Sequence, residues 1–125
     1  MKISKTFHFE AAHHLPGHDG PCARPHGHSY KLEVVYAGDP LREIGASDDG
    51  MVVDFGHVST VVKTLIIDRV DHQDLNKIFE FRPTAENLVQ EFWRILSTLG
   101  FNAPKLHTLR LWETESAYVE VTVDG

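Results

Sequence analysis

Residues 7–30 read FHFEAAHHLPGHDGPCARPHGHSY, two alternating runs joined by a loop dense in glycine and proline. In the first run Phe7, Phe9, Ala11 and His13 share one parity, and Thr6, His8, Glu10, Ala12 and His14 share the other. Successive side chains of a strand point to opposite faces, so this alternation predicts a half-buried strand over 2 to 13. It sends His13 to the core-directed face and His14 to the polar one. In the second run His26, His28, Tyr30, Leu32, Val34 and Tyr36 share parity, while Lys31 and Glu33 oppose them. A second strand is expected over 28 to 38, with His26 and His28 projecting to the same side. Gly27 between them permits a close backbone approach or a bend.

The two parities bring three imidazoles to one place. His13, His26 and His28 can bind one zinc ion and leave its fourth position open, which is the ligand set of a catalytic site rather than a closed structural one. The competing view is that nine histidines in 125 residues produce chance neighbours. His8, His14, His18, His57 and His107 are assigned to structural or solvent-facing roles. Cys22, the only cysteine, lies inside the interval between the ligands and cannot form an intramolecular disulfide. Close to a metal its thiol pKa would fall, making it a nucleophile or base.

A chain of 125 residues can bury one core, so residues 1–125 are read as a single domain. A net charge of -6 argues against a general nucleic-acid binder, which would carry a basic patch or stripe. There is neither an apolar leader after MKISKTFHFE nor a run of 18 apolar residues, so membrane insertion and export are not expected. One free cysteine suits a reducing cytoplasm.

Beyond the polar stretch from Gly38 to Gly50, Asp54 is a plausible N-cap. Val58, Val61, Val62, Leu65 and Ile66 then repeat with helical spacing. VDHQDLNKIFEFRP breaks that pattern. Thr84 behind Pro83 caps a second helix with Leu88, Val89, Phe92, Trp93 and Leu96 as its buried face and Gly100 as its stop. Leu106 to Glu113 and Tyr118 to Val123 alternate as a hairpin. The expected fold is an α+β two-layer domain: a four-stranded antiparallel sheet with two helices inserted between strands 2 and 3. One sheet face and the edges are left to be covered by self-association.

Asp71 and His72 are an adjacent acid and imidazole, able to act as an oriented general acid or base. A helix C-terminal histidine with capping neighbours would look the same. Glu113 has the parity of Leu109 and Leu111, so a carboxylate ends an otherwise apolar face. It requires a partner, such as two parallel N–H groups on a ligand, unless it simply reaches water at the strand end. Glu86, in the first turn of the second helix, is read as favoured there by the helix dipole.

FEAAHHLPG, CARPHGHSY, VVDFG, VDHQDLN, PTAEN and WET occur in an order and spacing that resembles the 6-pyruvoyltetrahydropterin synthase / 6-carboxytetrahydropterin synthase family over nearly the whole chain. The resemblance implies the tunnelling fold, in which sheets from several subunits form a barrel. It also implies a homohexamer made of two trimers, with active sites at subunit interfaces. By motif, His13, His26 and His28 match the zinc ligands, Cys22 the catalytic cysteine, Asp71 and His72 the acid–histidine pair, and Glu113 the glutamate that anchors the pterin ring. Three residues separate Cys22 from His26, which resembles the bacterial carboxy-forming branch of the queuosine (7-deazaguanine) pathway. The pyruvoyl-forming enzymes typically have five. A third branch, with a glutamate near the cysteine position, is disfavoured by Ala23, Arg24 and Pro25. Gln73 stands where some relatives have a second histidine, which makes His72 the only candidate in its loop.

The resemblance therefore implies a cytoplasmic zinc-dependent lyase. It would convert 7,8-dihydroneopterin triphosphate to 6-carboxy-5,6,7,8-tetrahydropterin with loss of triphosphate and acetaldehyde. The rival enzyme reading is the pyruvoyl-forming reaction on the same substrate. The rival from another class is a non-catalytic zinc-binding module. Arg24 is a positional candidate for holding the triphosphate.

Overall fold

The computed structural model describes residues 1–98 and 105–125. Its first two strands, β1 (Lys2–His13) and β2 (His26–Ala37), are antiparallel and in register from Lys2↔Ala37 to His13↔His26. The alternation reads directly into burial. Phe7, Phe9, Ala11 and His13 are buried from β1, while Tyr30, Leu32, Val34 and Tyr36 are buried from β2. The second strand begins at His26, two residues earlier than expected, because His26 pairs with His13 rather than belonging to the loop. Phe9 and Tyr30 stack with ring centroids 4.8 Å apart, and Phe92 meets Phe9 edge-on.

Helix α1 (Phe55–Val62) starts where Asp54 accepts a hydrogen bond from the Gly56 N–H. It runs through a wide π turn at Lys63–Ile67 into α2 (Asp68–Val70). Val58, Val62, Ile66 and Val70 are all buried. A constant spacing of four drifts by about 40° per step around an α-helix. The wider turn takes up that drift and keeps the stripe on the sheet. Two residues form β3 (Gln73–Asp74), followed by a single turn, α3 (Leu75–Ile78). Helix α4 (Ala85–Ser97) is capped by Thr84, whose hydroxyl accepts from the Asn87 N–H, and buries Leu88, Val89, Phe92 and Leu96. The hairpin β4 (Lys105–Thr114) and β5 (Ala117–Thr122) completes the sheet. The stop expected at Gly100 lies outside the described residues.

The sheet is five-stranded and mixed, in the order β3-β1-β2-β4-β5, and not the four-stranded antiparallel sheet expected. The extra strand runs parallel to β1, with Ala11↔Gln73 and Ala12↔Asp74 opposed. Its two polar residues carry no strand periodicity. Tertiary hydrogen bonds place them: the His72 N–H donates to the Glu10 carbonyl at 2.6 Å, and the Glu10 N–H donates to Asp71 at 2.9 Å. The helical layer also differs from the expected pair, because α2 and α3 add short turns between α1 and α4. That layer covers one sheet face. The other carries polar pairs such as Glu33 with Arg110 and Lys31 over Trp112. No helix among the described residues is long and apolar enough to cross a membrane.

Candidate metal centre and active site

The end of β1 and the start of β2 carry the three imidazoles, and the register His13↔His26 makes them converge. One ligand atom from each of His13, His26 and His28 lies within 4.8 Å of the others. The ring centroids are 4.5 to 5.0 Å apart. His13 is only 1% exposed. Its Nδ1 donates to the Pro83 carbonyl at 2.8 Å, and the Nδ1 of His26 donates to the Arg24 carbonyl at the same distance. A carbonyl can only accept, so both rings carry their proton on Nδ1 and turn a lone pair inward on Nε2. Backbone carbonyls play this orienting part behind metal-bound histidines.

All three Nε2 atoms are buried and take no hydrogen bond. Buried polar atoms without partners are rare and costly, and three aimed at one another fit a metal ion. The donor set suits the fit: neutral imidazoles bind zinc and similar divalent ions. Burial pushes the His28 pKa down, and the neighbouring His13 and His26 add to this against the opposing pull of Glu113. The neutral, ligating form is therefore favoured. Glu113 Oε1 stands 3.6 Å from His28 Nε2, too far for a hydrogen bond and close enough to interact by charge. Burial, helped by the Glu113 charge, raises the Tyr30 hydroxyl well above its usual value. That hydroxyl lies 3.4 Å from His13 Nδ1.

Asp71, His72 and Asn76 of VDHQDLN join the loop to the end of β1 and to His14 beyond it. Asp71 uses one carboxylate oxygen to accept from the Glu10 N–H and the other to meet His72 Nδ1 at 3.1 Å. The Glu10 N–H, with the His72 ring, holds the Asp71 carboxyl below the usual carboxylate range. His72 has φ +58°, a left-handed conformation that costs a non-glycine residue about 1–2 kcal/mol and is held by these contacts. Asp74 caps the Asn76 N–H. Asn76 in turn clamps the His14 backbone, accepting from its N–H and donating to its carbonyl. His14 is thus half-buried beside this clamp and outside the imidazole cluster.

His28 and His72 line one open groove of about 470 Å³. The structure therefore brings the imidazole cluster, the acid–histidine pair and Glu113 to one end of the sheet. Cys22 sits in a short 3-10 turn, Pro21–Ala23, half-buried and outside the imidazole cluster. The Leu15 N–H, donating to the Cys22 carbonyl at 2.7 Å, closes this loop back toward the end of β1. The orienting carbonyls of Arg24 and Pro83 and the backbone of Glu10 were not found from sequence. Main-chain groups carry no sequence signal, although Pro83 stands next to a recognisable cap.

The sheet ends in three convergent imidazoles that could hold a metal ion, flanked by an acid–histidine pair. The 6-pyruvoyl tetrahydropterin synthase family matches residues 2–124, and the chain belongs to that family as an enzyme, a lyase. It is 38% identical to the 6-carboxy-5,6,7,8-tetrahydropterin synthase of Haemophilus influenzae, with 96% of this chain and 97% of the relative covered. It is 39% identical to the synthase of the same name from Synechocystis, with 90% and 85% covered. The structure of Caenorhabditis elegans 6-pyruvoyl tetrahydropterin synthase superposes with a TM-score of 0.82 at 25% identity, covering 98% of this chain and 94% of that one.

Proposed function

We propose that this enzyme is a zinc-dependent lyase that converts 7,8-dihydroneopterin triphosphate and water to 6-carboxy-5,6,7,8-tetrahydropterin, acetaldehyde and triphosphate. The observation that carries the reading is the set of three inward, unpartnered Nε2 atoms beside a groove that His72 also lines. The names of the curated relatives support the carboxy-forming product. His13, His26 and His28 would hold the zinc, which supplies Lewis acidity and a template for the substrate's side-chain oxygens.

The remaining roles belong to side chains of this chain. Glu113 accepts two N–H bonds from the amino-pyrimidinone edge of the pterin and so holds the ring beside the imidazoles. Cys22 as thiolate removes a proton from the substrate side chain. His72, oriented by Asp71, moves the second proton; an Asp–His pair keeps the imidazole in one tautomer and supports its charged form. The half-exposed thiol and the exposed ring of His72 both suit groups that exchange protons.

The reading extends to the queuosine pathway, on the spacing of three residues between Cys22 and His26. A cytoplasmic setting suits the reduced thiol. A homohexamer of two trimers would cover the polar sheet face and the open edge of β5, where Tyr118 is exposed. The pyruvoyl-forming reaction is the second reading, favoured by the name of the Caenorhabditis elegans structure. Chelation tests the metal dependence. Triphosphate release should stop when zinc is stripped and return when zinc is restored, and undiminished release by the stripped protein would refute it.

A further inference from the structure

Two of the three imidazoles have a carbonyl behind them, and the third does not. His13 donates from Nδ1 to Pro83, and His26 donates from Nδ1 to Arg24. His28 forms no hydrogen bond with any described residue. An imidazole without such a bond keeps its rotamer freedom unless packing removes it. The packing comes from Tyr30, two residues along on the same face of β2. The Tyr30 and His28 rings stand 5.5 Å apart at 77°, an edge-to-face contact. Ala11, opposite His28 across the ladder, brings only a methyl group to that side. Tyr30 is itself fixed. It is fully buried, and Phe9, its partner across the ladder, stacks on it at 4.8 Å. Its hydroxyl lies 3.4 Å from His13 Nδ1. The proton on that nitrogen goes to Pro83, so the hydroxyl oxygen stands beside it as a second, longer acceptor. One rigid side chain therefore bears on two of the three imidazoles.

We propose that Tyr30 is a positioning residue of the metal centre, whose ring holds His28 in its ligating orientation before the ion arrives. The proposal rests on the metal reading above and deepens it by naming what prearranges the imidazole that lacks a carbonyl. A site ordered in advance loses less affinity to freezing its own side chains. The ring carries most of the effect. The hydroxyl carries a smaller part, because its 3.4 Å contact is long and competes with the 2.8 Å bond to Pro83. Phenylalanine should therefore serve in place of Tyr30, and an aliphatic side chain should not.

The test measures zinc affinity by competition with a chromophoric chelator, beside the melting temperature of the metal-free protein. Tyr30→Leu should weaken zinc binding by about tenfold or more, the loss typical of groups that orient metal-bound histidines. Tyr30→Phe should stay within about threefold of wild type. Tyr36→Leu, buried on the same face at the far end of β2, is the control. It should lower the melting temperature and leave zinc affinity unchanged. If Tyr30→Leu does not fold, Phe9→Leu takes its place, since it withdraws the ring stacked on Tyr30 and should weaken zinc binding by a smaller factor. Zinc affinity that stays at the wild-type value in Tyr30→Leu, or in Phe9→Leu standing in for it, overturns the assignment of Tyr30. Equal loss in Tyr30→Phe and Tyr30→Leu overturns the role of the ring. Wild-type protein that binds no zinc overturns the metal reading and this proposal with it.

Discussion

The His13 imidazole donates to the Pro83 carbonyl across 2.8 Å, so a residue leading into α4 orients a ring of the imidazole cluster at the end of β1. Helix and sheet are thereby tied together at the imidazole cluster. Asn76 makes a second tie, clamping the backbone of His14 one residue along.

Metal retention should follow strand parity. Purified protein should hold about one zinc per subunit by elemental analysis. His13→Ala should lose it, and His14→Ala should keep it, since His14 stands outside the cluster. Equal loss in both variants would contradict the assignment.

Cys22 separates the base from the ligands. Cys22→Ala should fold, keep its zinc and lose at least about a hundredfold in turnover. Loss of zinc together with the thiol would make the site a closed, four-ligand one and remove the catalytic reading.

Glu113→Gln replaces one acceptor oxygen with a donor that would face a donor on the ring. Pterin affinity should fall by about a hundredfold, with zinc content and melting temperature little changed. A variant that binds pterin normally but melts much earlier would show Glu113 to be structural.

His72 offers a double readout because of its left-handed backbone. His72→Ala and His72→Gly should both lose turnover. Glycine adopts that conformation without strain, so the glycine variant should be the more stable of the two by about 1 kcal/mol in denaturant unfolding. A more stable alanine variant would mean that the contacts of Glu10 and Asp71 do not hold the strained backbone.

Asp71 gives a pH test. Its carboxyl pKa is depressed in the folded protein, first by the Glu10 N–H and then by His72. A depressed folded pKa contributes stability that is full above the unfolded value, about pH 4, and is lost as pH falls through the folded one. Wild type should therefore melt above Asp71→Asn at neutral pH, and the gap should close on acidification below about pH 4. A gap that persists unchanged in acid would exclude this linkage.

Much of this architecture can be read from alternation and caps. The parity of Phe7, Phe9, Ala11 and His13 becomes the buried face of β1, and Thr84 behind Pro83 becomes the cap of α4. The convergence of His13, His26 and His28 also follows from parity, because register pairs the first two directly. The strand at Gln73–Asp74 was not legible. Two polar residues have no period, and what makes them a strand is bonding to Glu10 from a loop distant in sequence. The π turn at Lys63–Ile67 was hidden because four-residue spacing reads as ordinary helix until the accumulated drift must be absorbed. The carbonyls that orient His13 and His26 escaped for a different reason, since every residue has one and only the fold selects which is used.

The most direct test of the central claim is the mass of the pterin formed when the zinc-loaded enzyme is incubated with 7,8-dihydroneopterin triphosphate. The account predicts 6-carboxy-5,6,7,8-tetrahydropterin with an equivalent of acetaldehyde, and the Cys22→Ala protein should form neither at a comparable rate. A product that retains all three side-chain carbons as the 6-pyruvoyl pterin, with no acetaldehyde, would contradict it.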